Sequence, residues 1–275
     1  MSENIKTGTV STDSFTLDYV KFGHGKNVFV ILPGISVLSV MNFADAVADA
    51  YKVLTDDYTV YLCENRIQLT STASIQEMAE DTSAAFKAMG FDKVTLMGAS
   101  YGGMTSMLIA AEHPDQIENL ILCGTSAYVS DECYHMFDKW IGLTDAGNAE
   151  ELYLDFGKTV YPAEIFEQSR DVLADMAKSV TEEDLKRFRL YLESIRGFDV
   201  RDRLKEIQCP VFIASSSDDK VFGEEGPLTI AKGLAACPDL RTKMYDGYGH
   251  AVYDTAPDLK ERILRFLKRE PEPGE

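Results

Sequence analysis

The sequence predicts an α/β fold in which a mostly parallel, twisted sheet is flanked by helices and interrupted by an all-helical insertion. Short apolar runs alternate with longer helical patterns, and this order is typical of a parallel sheet with helical crossovers. Between residues 128 and 198 no strand-like run occurs, and the patterns are helical. Of the 275 residues, 45% are hydrophobic and 26% are charged, which is an ordinary balance for a globular chain.

The predicted strands occur on both sides of this insertion. Phe15, Leu17 and Tyr19 alternate with polar residues, as in a half-exposed strand near the edge of a sheet. Residues 28–32 are continuously apolar, which is expected for a strand that is buried on both faces. Similar runs occur at 59–63, 94–97, 120–123 and 211–214, and a short strand is predicted at 242–245.

The predicted helices are marked by their ends. Ser74 begins a Ser-x-x-Glu capping box, and its helix is expected to continue to Met89 before a glycine. A helix over 101–113 ends before a proline, and a last helix over 257–267 places its leucine and isoleucine residues on one face. Thr181, which acidic residues follow, predicts a helix start within the insertion.

These elements predict two units and a tail. Residues 1–127 and 199–270 form the α/β core, residues 128–198 form a helical cap, and residues 271–275 form a flexible tail. The tail is rich in proline and glutamate and has no large apolar side chain that could anchor it to a core.

The net charge argues against polyanionic partners, namely nucleic acids and anionic membrane surfaces. The chain has 45 aspartate and glutamate residues against 27 lysine and arginine residues, so its formal charge is −18. A field of this sign repels phosphate backbones and anionic membrane surfaces. We therefore expect neither a nucleic acid nor a membrane as partner, and the sequence leaves the oligomeric state open.

The cysteines and the first residues indicate a cytoplasmic protein. The chain has 5 cysteines, with neither a Cys-x-x-Cys pair nor the spacing of a metal site. No basic segment followed by an apolar run opens the chain, so no signal peptide is predicted. The uncharged stretch 27–44 is interrupted by Pro33 and Gly34, whereas a membrane span usually needs about 20 apolar residues. We expect reduced cysteines, a cytoplasmic location and no metal.

One glycine-rich segment carries the strongest chemical signal. Gly98-Ala-Ser-Tyr-Gly102 matches the pattern G-x-S-x-G, follows the predicted strand 94–97 and opens an apolar helix. In this setting the pattern places the serine on a tight turn at a helix start, where the helix dipole favours developing negative charge. A serine at a helix start is more often a simple cap, but the apolar strand and helix around Ser100 favour a nucleophile.

A serine hydroxyl is a weak nucleophile, so a catalytic serine needs a base, and the base needs an orienting acid. With this type of turn the partners follow in the order serine, acid, histidine. Of the 4 histidines, His24 precedes the serine, His113 ends the next helix and His135 lies in the insertion. His250 lies in a glycine-rich loop after the strand at 242–245 and is therefore the candidate base.

The candidate acid lies in the loop after the predicted strand 211–214. Asp218 and Asp219 are adjacent there. Successive residues of an extended loop point in opposite directions, so both cannot reach one imidazole. Spacing alone does not decide between the two carboxylates.

These motifs resemble the α/β-hydrolase superfamily, in particular serine hydrolases with a helical cap, and the resemblance extends from about residue 7 to residue 268. The matching segments are Leu32-Pro-Gly34, Gly98–Gly103, Glu112-His-Pro114, residues 117–123 and 200–211, Asp219-Lys-Val221 and Gly249-His250. Two stretches depart from the common pattern. Pro33 replaces the histidine of the usual His-Gly pair, and Glu64-Asn-Arg66-Ile-Gln-Leu69 lacks the usual glycines. Both lie beside the expected pocket, so the resemblance does not supply a substrate.

The resemblance implies a role for each candidate. Ser100 would be the nucleophile and His250 its base. Asp219 would be the orienting acid, because relatives place the acid directly before a polar and then an apolar residue. The backbone N–H groups of Ile35 and Tyr101 would form the oxyanion hole. Neither a metal nor an organic cofactor is implied.

These residues predict a serine hydrolase that cleaves a small ester, thioester or lactone through an acyl-enzyme on Ser100, with a small-molecule acyl substrate as partner. The same triad also fits a hydrolase of C–C bonds or an acyltransferase. A rival from another class is a catalytically silent ligand-binding protein on this scaffold. A binding protein, however, does not need a serine, an acid and a histidine in this order.

Three groups of residues are candidates for the lining of the expected pocket, and each group allows two interpretations. The apolar loop 35–43 either lines the pocket or packs on the helix that follows. Arg66, Arg189 and Arg196 either bind a substrate carboxylate or pair with the many acidic side chains. Large side chains of the insertion either face the substrate or hold the cap together: Tyr134, Met136, Phe137, Trp140, Tyr153, Phe156 and Tyr161.

Overall fold

The structure, a computed structural model, describes residues 5–12, 15–65, 73–234 and 237–271. These residues contain an 8-stranded sheet with the order β1-β2-β4-β3-β5-β6-β7-β8. The strands are β1 (Lys6–Ser11), β2 (Thr16–Gly23), β3 (Asn27–Leu32), β4 (Tyr58–Cys63), β5 (Val94–Ala99), β6 (Ile117–Cys123), β7 (Val211–Ser216) and β8 (Leu240–Tyr245). Only β2 runs antiparallel to its neighbours β1 and β4, and the other described pairs are parallel. The predicted mostly parallel sheet is confirmed.

Helices connect these strands and flank the sheet. They are α1 (Ala44–Ala50), α2 (Ile75–Ala88), α3 (Tyr101–Glu112), α4 (Asp131–Asp145), α5 (Ala149–Val160), α6 (Ala163–Ala177), α7 (Glu182–Ser194), α8 (Glu225–Gly233), α9 (Val252–Thr255) and α10 (Leu259–Leu267). The helix starts predicted at Ser74 and Thr181 are confirmed, and each carries a capping box. The last helix begins at Leu259 rather than at 257, because the backbone of Asp258, at φ −103° and ψ 6°, lies outside the helical turn.

The sheet separates two apolar layers. Along β3, Val30 and Leu32 belong to the cluster that α2 and α3 share, whereas Phe29 and Ile31 belong to the cluster that α1 and α10 share. This alternation buries the strand on both faces. Because most strands of the sheet are parallel, their carboxyl ends meet at one edge, which is where ligands bind in open α/β sheets.

Four helices, α4–α7, fill the region that the sequence predicts as a cap. An antiparallel bridge joins Tyr128 to Asp199, so the two ends of the insertion lie side by side. Inside the insertion the ring centroid of Trp140 lies 5.1 Å from that of Phe156, and its indole N–H donates to the carboxylate of Asp155 at 2.9 Å. These contacts support the predicted division into core and cap, which remains a proposal.

Three further predictions concern membrane spans, the cysteines and the tail of the chain. No helix within the described ranges combines the length and the apolar character that a membrane crossing requires. All 5 cysteines are described and none forms a disulfide, while the cytoplasmic location stays a prediction. The predicted tail, 271–275, lies outside the described residues apart from residue 271.

Candidate active site

Ser100 lies on a strained turn between β5 and α3. Its backbone has φ 50° and ψ −116°, a conformation that residues with a side chain rarely adopt. A Cβ on Gly98 would lie 2.3 Å from the carbonyl oxygen of Gly102, and a Cβ on Gly102 would lie 2.1 Å from the carbonyl oxygen of Leu32. Because both contacts are with backbone atoms, the turn needs both glycines.

His250 lies in the loop between β8 and α9, and only 3% of it is exposed. Its Nε2 lies 2.9 Å from the Oγ of Ser100, which is within hydrogen-bond distance. The preceding Gly249 has φ +66°, a turn conformation that glycine adopts without strain. The ring of Phe222 packs edge-on against the imidazole, with the centroids 5.4 Å apart. These contacts fix the imidazole beside the serine.

Asp219 lies on the far side of the imidazole. Its Oδ2 lies 2.9 Å from Nδ1 of His250, and its Oδ1 accepts the N–H of Val221 at 2.7 Å and of Phe222 at 3.2 Å. Burial alone would raise the pKa of Asp219, but the charge and hydrogen bond of His250 and the two N–H groups outweigh it and lower the pKa. The carboxylate is therefore ionised at neutral pH and can hold the Nδ1 proton, which leaves Nε2 to accept from the serine.

Asp218 does not face the imidazole but holds the loop that carries it. Its Oδ1 accepts the N–H of Gly247 at 3.1 Å and of Gly249 at 3.0 Å, and it also accepts the hydroxyl of Ser216 at 2.5 Å. The residue is exposed and points outward from the imidazole. Its bonds to two glycine N–H groups show that it also ties the histidine loop to the end of β7.

Gly34 and Ile35 lie directly after β3, opposite the serine. A Cβ on Gly34 would lie 3.2 Å from the Cβ of Ser100, so the loop approaches it closely. Ile35 and Tyr101 line one pocket together with Ser100 and His250. Among the described residues, no acceptor is found for the backbone N–H of either Ile35 or Tyr101. Ser100, Asp219, His250, Ile35 and Tyr101 thus meet at the carboxyl edge of the sheet.

Two residues after β4, which the sequence did not single out for this role, fix the loop 33–40. The buried carboxylate of Glu64 accepts the hydroxyl of Ser39 at 2.5 Å and the N–H of Val40 at 3.0 Å. Burial raises the pKa of Glu64 despite these bonds. The amide of Asn65 donates to the carbonyl of Gly34 at 3.3 Å. In a trans peptide the N–H points away from the C=O, so this bond directs the next N–H to the side opposite Asn65.

The insertion contacts the same loop through α7. Arg187 donates to the carbonyl of Val37 at 3.0 Å and to the carboxylate of Asp184 at 2.8 Å. The hydroxyl of Tyr191 donates to the carbonyl of Asn65 at 3.3 Å. The loop is therefore held between the end of β4 and a helix of the insertion.

A comparison with known families agrees with this geometry. The model of the family described as serine aminopeptidase, S33, matches residues 67–255, which is more than half of the chain. The chain belongs to this family of α/β-hydrolases.

Relatives of this α/β-hydrolase are also named as hydrolases. RutD of Agrobacterium fabrum, named for carbamate hydrolysis, is 27% identical over 226 residues, which cover 81% of the chain and 85% of RutD. The human serine hydrolase BPHL is 24% identical over 233 residues, which cover 82% of the chain and 72% of BPHL. The chain is accordingly an enzyme of the serine-hydrolase type.

Solved structures confirm the fold. The α/β-hydrolase MGS-M2 from a Medee basin deep-sea metagenome has a TM-score of 0.83 at 18% identity, covering 98% of the chain and 100% of that structure. The enol-lactonase from Burkholderia xenovorans LB400 has a TM-score of 0.81 at 18% identity, covering 95% of the chain and 100% of that structure.

Two adjoining cavities lie at this site of the α/β-hydrolase, and Ser100 lines the first of them. The first is small, and Phe137, Trp140 and Phe156 of the insertion line it, so these aromatic side chains face the site. The second has a volume of about 490 Å³ and shares Gly34, Ile35, Phe156, Val160 and Tyr253 with the first. The two cavities therefore meet between the loop 33–40, α5 and Tyr253.

Three arginines are candidate substrate ligands, and the two that the structure describes pair with acidic side chains instead. Arg189 pairs with Glu193 at 3.0 Å and with Asp145 at 3.5 Å. Arg196 pairs with Asp138. Arg66 lies outside the described residues.

Glu80, Glu112 and His113, between α2 and α3, form the one group in the described ranges whose ligand atoms lie within 4.8 Å of one another, as a metal site requires. Glu112 already pairs with Arg203 and accepts the amide of Gln76 at 2.6 Å, and His113 pairs with Glu80 at 3.2 Å. These partners account for the group without an ion, and we propose no metal there.

Proposed function

We propose that this α/β-hydrolase cleaves a small ester, thioester or lactone through an acyl-enzyme on Ser100. One observation supports this most directly: the imidazole of His250 lies between the hydroxyl of Ser100 and the carboxylate of Asp219, with both hydrogen-bond distances at 2.9 Å. A catalytic serine needs a base and an orienting acid in this arrangement.

In the first half of the reaction the hydroxyl of Ser100 attacks the carbonyl carbon, and its proton moves to Nε2 of His250. Asp219 orients the imidazole through Nδ1 and stabilises the imidazolium that forms. The bond from the carbonyl carbon to the leaving oxygen or sulfur then breaks, and the leaving atom takes the proton from Nε2. The acyl group stays on Oγ as an ester.

The carbonyl oxygen becomes negatively charged during this attack. We assign the backbone N–H groups of Ile35 and Tyr101 as its donors, since both line the pocket beside Ser100. Tyr101 begins α3, so the positive end of the helix dipole adds to the stabilisation. A donor of this kind typically contributes about 100- to 1000-fold to kcat.

In the second half, water attacks the acyl-enzyme. His250 takes a proton from the water and returns it to Oγ as the carbon–Oγ bond breaks. The products are a carboxylic acid and the free serine, so the net reaction adds one water across the scissile bond. The cycle uses only these side chains, the two backbone N–H groups and water.

A carbamate is a second candidate substrate, because RutD of Agrobacterium fabrum, a relative of this chain, is named for carbamate hydrolysis. A carbamate presents the same electrophilic carbonyl to Ser100 and leaves a carbamoyl group on Oγ. Turnover of an aryl carbamate against the matched aryl ester separates the two candidates.

The proposal is tested with a fluorophosphonate probe and the variant Ser100→Ala. We expect the probe to label the wild type but not Ser100→Ala, and the variant to lose at least about 1000-fold in kcat on p-nitrophenyl acetate. Ser179→Ala, which alters an exposed serine between α6 and α7, is the matched control and should keep both properties. Near-normal hydrolysis by folded Ser100→Ala would remove Ser100 as the nucleophile.

A further inference from the structure

The catalytic steps do not use the larger cavity, which adjoins the pocket that Ser100 lines. We call it the side chamber: the space of about 490 Å³ that runs between the sheet, α1 and the start of α9. It shares Gly34, Ile35, Phe156, Val160 and Tyr253 with the catalytic pocket. Its volume falls within the range of about 300–1,000 Å³ that small-molecule sites occupy. A substrate held at the serine can therefore extend into it.

One face of α1 and of the turn before it forms a wall of the side chamber. Phe43, Ala46, Val47 and Ala50 all line it, at the spacing that places side chains on one helix face. Ala46 and Ala50 are exposed, so they do not pack into the core. Their short side chains keep the space open, and a longer side chain there would reduce it.

Asp254 lines the side chamber and accepts no hydrogen bond there from the described part of the chain, although the charge of Lys260 acts on it from more than 4.0 Å away. Within the described ranges no N–H, hydroxyl or cation donates a hydrogen bond to its carboxylate. The residue is exposed and lines the chamber, while the protein atoms packed around its carboxylate raise the pKa of Asp254 to about 6. A carboxylate whose pKa burial raises and that accepts no hydrogen bond is unfavourable, so this position favours a ligand that brings a donor or a positive charge.

Lys260 also lines the side chamber, but its ammonium group already has partners. Nζ donates to the carbonyl of Tyr253 at 2.7 Å and lies 5.5 Å from the ring centroid of Tyr51, a cation–π contact. The residue is buried, and it forms no ion pair with Asp254 within 4.0 Å. The charges of Lys260 and Asp254 act on each other, but only the carboxylate of Asp254 is left without a hydrogen bond from the described residues and can accept one from a ligand.

The position of the chamber decides which part of the substrate enters it. His250 gives its proton to the leaving group, so the leaving group must lie on the His250 side of the carbonyl carbon. His250 lines the catalytic pocket but not the side chamber. The acyl arm, on the opposite side of the carbonyl carbon, is the part that reaches the chamber past the loop 33–40.

We propose that the side chamber is the acyl subsite and that it takes an aliphatic acyl arm ending in a primary ammonium group, which Asp254 binds. This inference rests on the proposed serine-hydrolase function. The apolar walls cover the methylene groups of the arm, and the carboxylate of Asp254 pairs with its charged end.

Three p-nitrophenyl esters with arms of similar length test the charged end: the heptanoate, the 6-ammoniohexanoate and the monoester of heptanedioate. We expect the wild type to prefer the ammonium arm over heptanoate by about tenfold or more in kcat/KM, because a charged hydrogen bond is gained. In Asp254→Asn this ratio should fall close to one. Equal rates for the three esters, or a preference for the carboxylate arm, would overturn the role of Asp254.

A second pair of variants tests the walls. Ala50→Leu narrows the chamber, so we expect kcat/KM for heptanoate to fall about tenfold or more relative to that for p-nitrophenyl acetate. Asp49→Leu adds the same side chain one residue away, at an exposed position that does not line the chamber, and should leave this ratio unchanged. An unchanged ratio in Ala50→Leu would overturn the acyl subsite. Loss of acetate hydrolysis and of fluorophosphonate labelling in the wild type would instead overturn the proposed function.

Discussion

Two loops flank Ser100, and different hydrogen bonds fix each of them. On the acid–histidine side, segments 216–219 and 247–250, adjacent aspartates divide the task, since one binds the imidazole and the other binds the backbone of its loop. On the oxyanion side, segment 33–40, no acid of the loop itself takes part. Glu64 and Asn65 from the end of β4 hold it instead.

The two sides also differ in how acid affects them. The pKa values of Asp219 and Asp218 are lowered, because their hydrogen-bond partners outweigh burial. Such groups contribute stability at neutral pH that is lost as the pH falls through their folded pKa. The pKa of Glu64 is raised by burial, so its ionisation costs stability as the pH rises through that pKa. Neighbouring loops of one site thus respond to pH in opposite directions.

The largest effect is expected on the acid–histidine side. Asp219→Asn should lower kcat by up to about 10⁴-fold, because the amide favours the wrong tautomer of His250 while the geometry is kept. Steady-state kinetics on an aryl ester measures this. Asp246→Asn, an exposed carboxylate nearby, is the control and should stay close to wild type. A near-normal kcat in Asp219→Asn would place the orienting acid elsewhere.

On the oxyanion side, Asn65→Ala should lower kcat by about 10- to 100-fold with little change in KM. The carbonyl of Gly34 loses its tether, so the N–H that follows is less well aimed at the developing oxyanion. Asn42→Ala, at an exposed position beside the same loop, serves as the control. A rise in KM with unchanged kcat would show that Asn65 contacts substrate rather than positioning the loop.

A smaller effect is expected for Asp218→Asn. The amide keeps an oxygen that can accept from the N–H groups of Gly247 and Gly249, so kcat should stay within about tenfold of wild type, or about 1.4 kcal/mol of barrier. Comparison with Asp219→Asn in the same assay decides the assignment. The reverse ranking would make Asp218 the orienting acid.

The smallest effect concerns stability and pH. The pKa of Asp254 is raised to about 6, so ionisation above that pH disfavours the folded state, although water in the chamber screens the charge. Asp254→Asn should therefore raise Tm by a few degrees at pH 8 and by nothing at pH 3.5. Asp218→Asn should lower Tm at pH 8, since the pKa of Asp218 is lowered. Thermal unfolding of both variants across this range checks the signs, and parallel pH profiles would contradict them.

The acid–histidine side could be predicted because its signals are local in sequence. A glycine before His250 and an acid directly after a buried strand are short patterns that turn chemistry dictates. The choice of Asp219 over Asp218 needed the resemblance, since it depends on how the loop turns. The second role of Asp218, on the backbone of Gly247 and Gly249, depends on a contact 29 and 31 residues away and had no local signal.

The oxyanion side and the side chamber could not be predicted in the same way. Glu64 follows a buried strand, which is a usable signal, but its partners lie in another loop. Helix α1 has the composition of an ordinary surface helix, and only the fold places its alanines against a cavity. Strand β1 was missed because the segment Lys6–Ser11 has a single large apolar side chain, Val10, and gains its order from pairing with β2.

The backbone conformation of Ser100 lowers the stability of the fold, while the same position supplies the reactive hydroxyl. A residue with a side chain at φ 50° costs of order 1–3 kcal/mol, whereas glycine adopts such a conformation freely. Glycine at this position would relax the turn and remove the hydroxyl in one step. Selection for stability alone would therefore discard the reactive group, and the serine persists only where turnover outweighs the loss in folding free energy.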